Sequence, residues 1–149
     1  MSSVPTIIVA SDASSVREEI AAQICDPDTT VVQVTSGPEA ISALRDHDAD
    51  LLVVDMQIAN MGAMAVCLEL RLEESYEDVD HVPVLMLLDR RPDVFLARRG
   101  GAEGWLVKPL APLALRRAVS ALLAGDTYYD ESYKPVPVLV GSPTLTAGP

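Results

Sequence analysis

Four short apolar runs are each followed directly by residues able to do chemistry: Ser11-Asp12, Asp55, Asp89 after Leu88, and Lys108-Pro109. Three carboxylates and one ammonium group thus occupy equivalent places along the chain. If the elements that carry them bring Asp12 and Asp55 within a few ångströms, their mutual repulsion has to be relieved by a bound cation, by protonation or by Lys108. Mg²⁺ suits such a set, because it prefers oxygen ligands, keeps several waters and uses one or two carboxylates together with phosphate oxygens. Singly, a strand-end Asp is most often a turn or cap residue, and a Lys-Pro pair is usually only a loop. The argument therefore rests on the ordered set and on the elements that must position it.

Five apolar runs, Ile7–Ala10, Val31–Val34, Leu51–Val54, Val84–Leu88 and Trp105–Val107, read as strands buried in a sheet that is covered on both faces. Helical spacing fills the gaps: Val16, Ile20 and Ile24; Ala40, Ile41 and Leu44; then Met61, Met64, Ala65, Leu68 and Leu72. After the last two runs come Val94-Phe95-Leu96 and Leu115, Ala118, Val119 and Leu122. Ser15 with Glu18 has the form of a capping box, and Pro38, Pro92 and Pro112 stand where first helical residues would lie. Gly100-Gly101 and Gly125 fit helix ends, with Arg98 and Arg99 placed to suit the dipole at a C-terminus. The pattern predicts a (βα)5 domain, an α/β fold with a doubly wound, parallel, five-stranded sheet. Its crevice would lie beyond the carboxyl ends of the strands. The domain is expected over residues 1–125. Residues 126–149, rich in Pro, Tyr and Val, are expected to form a mobile tail, or to place Val136–Val140 against a sheet edge or groove.

The composition narrows the function classes. Of 149 residues, 22 are Asp or Glu and 11 are Lys or Arg, giving a net charge of −11. That balance argues against a protein whose main work is neutralising nucleic-acid phosphate or docking on anionic lipid. At 49% hydrophobic residues the chain can bury a core. Cys25 and Cys67 form no disulfide framework or CxxC motif and are expected to be reduced core thiols. No basic-plus-apolar leader precedes Val4, and the apolar runs are far shorter than the roughly 20 residues that span a bilayer, so the cytoplasm is the expected location. There is no GxGxxG, P-loop, Gly-x-Ser-x-Gly elbow or catalytic histidine, and His47 and His81 lie in polar stretches, so an enzyme is not expected.

Asp12, Asp55 and the stretch Gly101-Ala-Glu-Gly-Trp-Leu-Val-Lys-Pro109 together resemble the response-regulator receiver domain, the CheY-like, flavodoxin-like module of two-component signalling. The resemblance covers residues 5–125 and implies strand order 2-1-3-4-5. It also implies that Asp55 takes a phosphoryl group from a histidine kinase or small phosphodonor. Asp12, Asp55 and the backbone carbonyl of Gln57 would hold Mg²⁺, and Lys108 would pair with Asp55 or its phosphate.

Departures from the family pattern make this an atypical receiver, resembling stand-alone receivers of actinobacterial type. Ser11 replaces one of two adjacent acids, so Mg²⁺ should bind weakly. Leu88 stands where a Ser or Thr would bond the phosphoryl group, and Asp89 follows where a small residue is usual; it would add charge at the site or pair with Arg90 or Arg91. Trp105 takes the place of the switch aromatic and is expected to make a fixed apolar contact opposite Leu88. The loop from Met56 to Gly62 lacks the usual Pro and Asp-Gly. No DNA-binding module is expected after Gly125, so output would pass to an unknown downstream protein, or through a homodimer, with no direct nucleic-acid or membrane contact. The implied contact face carries Arg90, Arg91, Arg98, Arg99, Arg116 and Arg117. Residues 90–117 hold seven basic side chains against Asp93 and Glu103, a local +5 that leaves −16 on the rest. The alternative is a pseudo-receiver that binds proteins or dimerises without phosphorylation.

Overall fold

The computed structural model describes residues 4–56, 58, 62–76 and 80–131. Strands β1 (Thr6–Ala10), β2 (Thr30–Val34), β3 (Leu51–Asp55), β4 (Val84–Leu88) and β5 (Gly104–Val107) alternate with helices α1 (Ser14–Ile24), α2 (Gly37–Asp46), α3 (Ala63–Ser75), α4 (Val94–Arg99) and α5 (Pro112–Leu123). A sixth strand, β6 (Tyr128–Tyr129), follows. All pairings are parallel, in the order β2-β1-β3-β4-β5-β6. The expected five-stranded sheet thus gains a strand from the segment assigned to the tail. Two residues are too few to display a period, so β6 left no pattern in the sequence. Val136–Val140 lies outside the described residues.

Alternation along the strands sorts the core into two layers. Ile8, Ala10, Leu52, Val54, Met86, Leu88 and Trp105 pack with α2, α3 and α4, while Ile7, Val9, Leu51, Val53, Leu85, Leu87 and Leu106 pack with α1 and α5. Every residue of β3 and β4 is buried, as continuous apolar runs require. β2 has a similar composition but is an edge strand with no residue fully buried.

Helix ends agree with the punctuation in most places. Pro112 opens α5, Gly101 and Gly125 adopt positive φ just past α4 and α5, and Arg98 and Arg99 close α4. The expected Ser15–Glu18 capping box is absent: α1 is preceded by Ala13 and has no side-chain cap. Instead Ser36 caps α2 by accepting from Glu39 N, while Glu39 reaches back to the amide and hydroxyl of Thr35.

The face of α3 differs from its expected one. Ala63, Val66, Cys67 and Leu70 turn inward, whereas Leu68 and Leu72 are about half exposed. The first six positions of this helix are all apolar, so several faces compete there and spacing alone cannot choose among them. Phe95 likewise points to solvent while Val94 and Ala97 face the core.

At the amino-terminal ends of β4 and β5, Arg71 of α3 bonds Glu74 and Glu103 and the carbonyls of Val82 and Gly101. His81 lies between the same two glutamates, and Glu103 accepts Val84 N at 2.9 Å. No helix among the described residues is long and apolar enough to cross a membrane.

Candidate phosphoacceptor site

Strand register assembles the site at the opposite, carboxyl ends. β1 and β3 pair Ala10 with Val54, so the next residues, Ser11 and Asp55, stand side by side. β4 and β5 pair Leu88 with Val107, which brings Asp89 beside Lys108. Because Asp55 pairs with Leu87, the two couples meet.

Asp55 is fully buried, and both its oxygens are engaged. Ser11 Oγ donates to Oδ2 at 2.7 Å and Lys108 Nζ donates to Oδ1 at 2.5 Å. Ser11 Oγ also accepts the amide of Ala13 at 3.1 Å, which fixes the hydroxyl's direction. Lys108 Nζ gives a further bond of 2.9 Å to Asp89 Oδ1, so one oxygen of Asp89 is turned into the site. Burial pushes the ammonium's pKa down, but hydrogen bonds and negative charge from Asp55 and then Asp89 outweigh it, and Lys108 is held above its ordinary value. The Lys108–Pro109 peptide is cis.

Asp12 is exposed at the rim, and Gln57 lies outside the described residues. Among the described residues no group of three or more His, Cys, Asp or Glu gathers to hold a metal. The two carboxylates nevertheless fit Mg²⁺ in kind, being hard oxygen donors, with Asp12 open to solvent and Asp55 buried behind bonds that the ion would have to replace.

Leu88 and Trp105 are buried in the same core layer. Tyr129 stacks on the indole with centroids 4.3 Å apart. The six arginines are all exposed but do not form one face: Arg98 lies over the Trp105 ring, while Arg116 lines a groove with Ile24, Cys25 and Asp26 on the α1 side. Cys25 is exposed, contrary to its expected place in the core, and Cys67 is buried.

Sequence reading missed Arg17, whose Nη1 donates to Ser11 O at 2.6 Å and steadies the β1–α1 loop. Its signal was a cation near the start of a helix, where the dipole favours an anion.

The family model for the response regulator receiver domain matches residues 7–120. The chain belongs to this family. Similar receivers include the nitrate/nitrite response regulator NarL of Escherichia coli K12, 30% identical over 111 residues, covering 74% of this chain and 50% of that protein. The probable transcriptional regulator ycf27 of Porphyridium aerugineum is 28% identical over 119 residues, covering 78% and 47%. The chain thus spans about half the length of the curated relatives it matches. Among solved structures, the chemotaxis response regulator CheY4 of Vibrio cholerae superposes with a TM-score of 0.71 at 22% identity, covering 80% of this chain and 99% of that one. The receiver domain of a NarL from Mycobacterium tuberculosis gives 0.71 at 22%, covering 83% and 99%. These two likenesses establish the CheY-like fold. Receiver domains are signalling modules of two-component systems, work with histidine kinases and downstream proteins, and generally bind Mg²⁺ at the phosphorylation site.

Proposed function

We propose that this receiver accepts a phosphoryl group on Asp55 and passes the signal on through protein contacts made by its own surface. The observation that carries this reading is the buried Asp55 carboxylate, with Lys108 on one oxygen and the Ser11 hydroxyl on the other. An Asp55 oxygen attacks the phosphorus of a histidine kinase's phosphohistidine or of a small phosphodonor, forming an acyl phosphate. The donor's P–N or P–O bond breaks, and its electron pair leaves with imidazole or the donor's oxygen. Lys108 is placed to neutralise the new charge, and the Ser11 O–H to donate to it. Mg²⁺, weakly bound with Asp12, Asp55 and the Gln57 carbonyl, would supply charge stabilisation at the transferring oxygens. The chain is a phosphoprotein switch in this reading and not an enzyme, and it works in the cytoplasm beside its kinase.

A second reading, the pseudo-receiver, is favoured by Asp89, which already holds Lys108, and by the buried Leu88, which offers no hydroxyl to a phosphate. Intact-mass measurement after incubation with acetyl phosphate and Mg²⁺ separates the two. Addition of one phosphoryl group, lost in Asp55→Asn, supports the first reading; no addition from acetyl phosphate or from a phosphorylated kinase leaves the second.

A further inference from the structure

The outer edge of β5 is filled by the chain's own residues. Tyr128 N donates to Glu103 O at 3.1 Å, Asp130 N donates to Trp105 O at 3.1 Å, and Asp130 Oδ2 accepts Val107 N at 2.9 Å. Two residues, Tyr128 and Asp130, thereby satisfy three groups along this edge. The Tyr129 ring lies on the indole of Trp105 at 28° between planes, and the Arg98 guanidinium stands 5.6 Å from the same ring. Gly104 makes the approach feasible, since a Cβ there would meet Tyr128 O at 2.8 Å.

The cover is nonetheless slight and incomplete. β6 has two residues and Tyr129 is 45% exposed. A cavity of about 460 Å³ remains beside the stack, lined in part by Arg98, Glu103, Trp105, Thr127 and Tyr129. The indole Nε1 is buried and finds no acceptor among the described residues. Gly125, with φ of 89°, provides a turn about which the segment can leave.

From this we infer that the β5 edge is a strand-addition site for an extended acidic segment carrying an aromatic residue, presented by another protein, and that Tyr128–Glu131 is its competitor in cis. The backbone groups of β5 would pair with any strand. Selectivity comes from the indole and Arg98, which take an aromatic side chain, and from the excess of arginine on α4 and just before it, which favours carboxylates. The sequence Tyr-Tyr-Asp-Glu is itself an instance of that ligand. Nothing here depends on Asp55, so this proposal and the phosphoacceptor reading stand or fall separately.

The test uses the full chain and a capped peptide of residues 126–131, Asp-Thr-Tyr-Tyr-Asp-Glu, which lacks tryptophan, so that Trp105 is the sole indole. In Tyr129→Ala/Asp130→Ala protein, acrylamide should quench Trp105 more readily than in wild type. Peptide should reverse that change saturably at concentrations on the order of millimolar or below, and added salt should weaken the effect. Wild-type protein should need about tenfold more peptide or greater, because its own segment competes at an effective concentration in the millimolar range. Asp130→Asn, which keeps an acceptor for Val107 N but removes one carboxylate from the competing segment, should fall between wild type and the double variant. The proposal is overturned if the double variant gives no saturable response, if wild type responds equally, or if a peptide with its tyrosines and acids replaced by Ala acts as well. Should the double variant lose its helical circular dichroism, Tyr129→Ala alone, which removes only a half-exposed ring, takes its place in the same titration, and the same three results overturn the proposal.

Discussion

Lys108→Met keeps most of the side-chain stem and deletes the cation that bonds both Asp55 and Asp89. Removing one member of a buried ion pair costs about 3–5 kcal/mol, mostly because the other charge is left without compensation. Asp55 is wholly buried and cannot rehydrate, but Lys108 and Asp89 retain 22% and 29% exposure, so the low end, about 3 kcal/mol, applies. Asp55→Asn preserves shape and leaves Lys108 with Asp89, for a cost of about 1 kcal/mol. In the double variant neither charge is stranded at Asp55, so its loss should fall about 2 kcal/mol short of the sum, the coupling expected of contacting residues. Urea unfolding near neutral pH, followed by Trp105 emission and circular dichroism together, measures all three. The single Lys108 variant should shift the midpoint by about 2 M at the urea sensitivity typical of a domain this size. The pH dependence gives a further check. With the folded pKa of Lys108 raised above 10.5, its contribution is complete below that value and is lost as pH rises through the folded value. The gap between wild type and Lys108→Met should be flat through neutrality and close as alkali deprotonates Lys108. Additive losses, or a Lys108→Met protein within about 0.5 kcal/mol of wild type, would refute a buried charge couple as the organising contact.

Ser11→Asp replaces the donor on Asp55 Oδ2 with a like charge, so without divalent cations it should lose about 1–3 kcal/mol. Millimolar Mg²⁺ should restore it, as read by melting temperature with and without the ion; a variant indifferent to Mg²⁺ contradicts the assigned crevice. Asp89→Asn relieves Lys108 of a competing carboxylate and should speed phosphoryl uptake from acetyl phosphate by up to about tenfold, equivalent to about 1.4 kcal/mol of barrier; a slower rate would mean that Asp89 assists the transfer. Native protein should expose one thiol to a disulfide reagent, Cys25. Cys67, buried with its pKa pushed up to about 12 by desolvation, should react only on unfolding. Leu88→Ala, at a fully buried position, should cost about 2–5 kcal/mol in the same urea titration.

The central strands and the four-residue face of α5 were legible because burial on both sides demands apolar runs, and a face demands a period. Which strand would be an edge was not: Val31, Val32 and Val34 look as central as Val53 and Val54. The partners of Asp89 and Ser11 were also hidden, since local sequence offers Arg90 and Arg91. Only the register, which sets the residues after β4 and β5 together, directs Asp89 to Lys108. Once the parallel pairing is known, both couples can be counted off. The Tyr129 stack on Trp105 joins a two-residue strand to a distant ring and has no periodic trace at all.

The Arg71 clasp makes the two ends of the sheet unlike. At the amino ends one planar guanidinium spreads fixed donors over two glutamates and two carbonyls, so each acceptor there is held in a set direction. At the carboxyl ends a single ammonium on a flexible stem serves two carboxylates, and it can turn from one to the other with no movement of the backbone. Rearrangement is therefore confined to the end that carries Asp55.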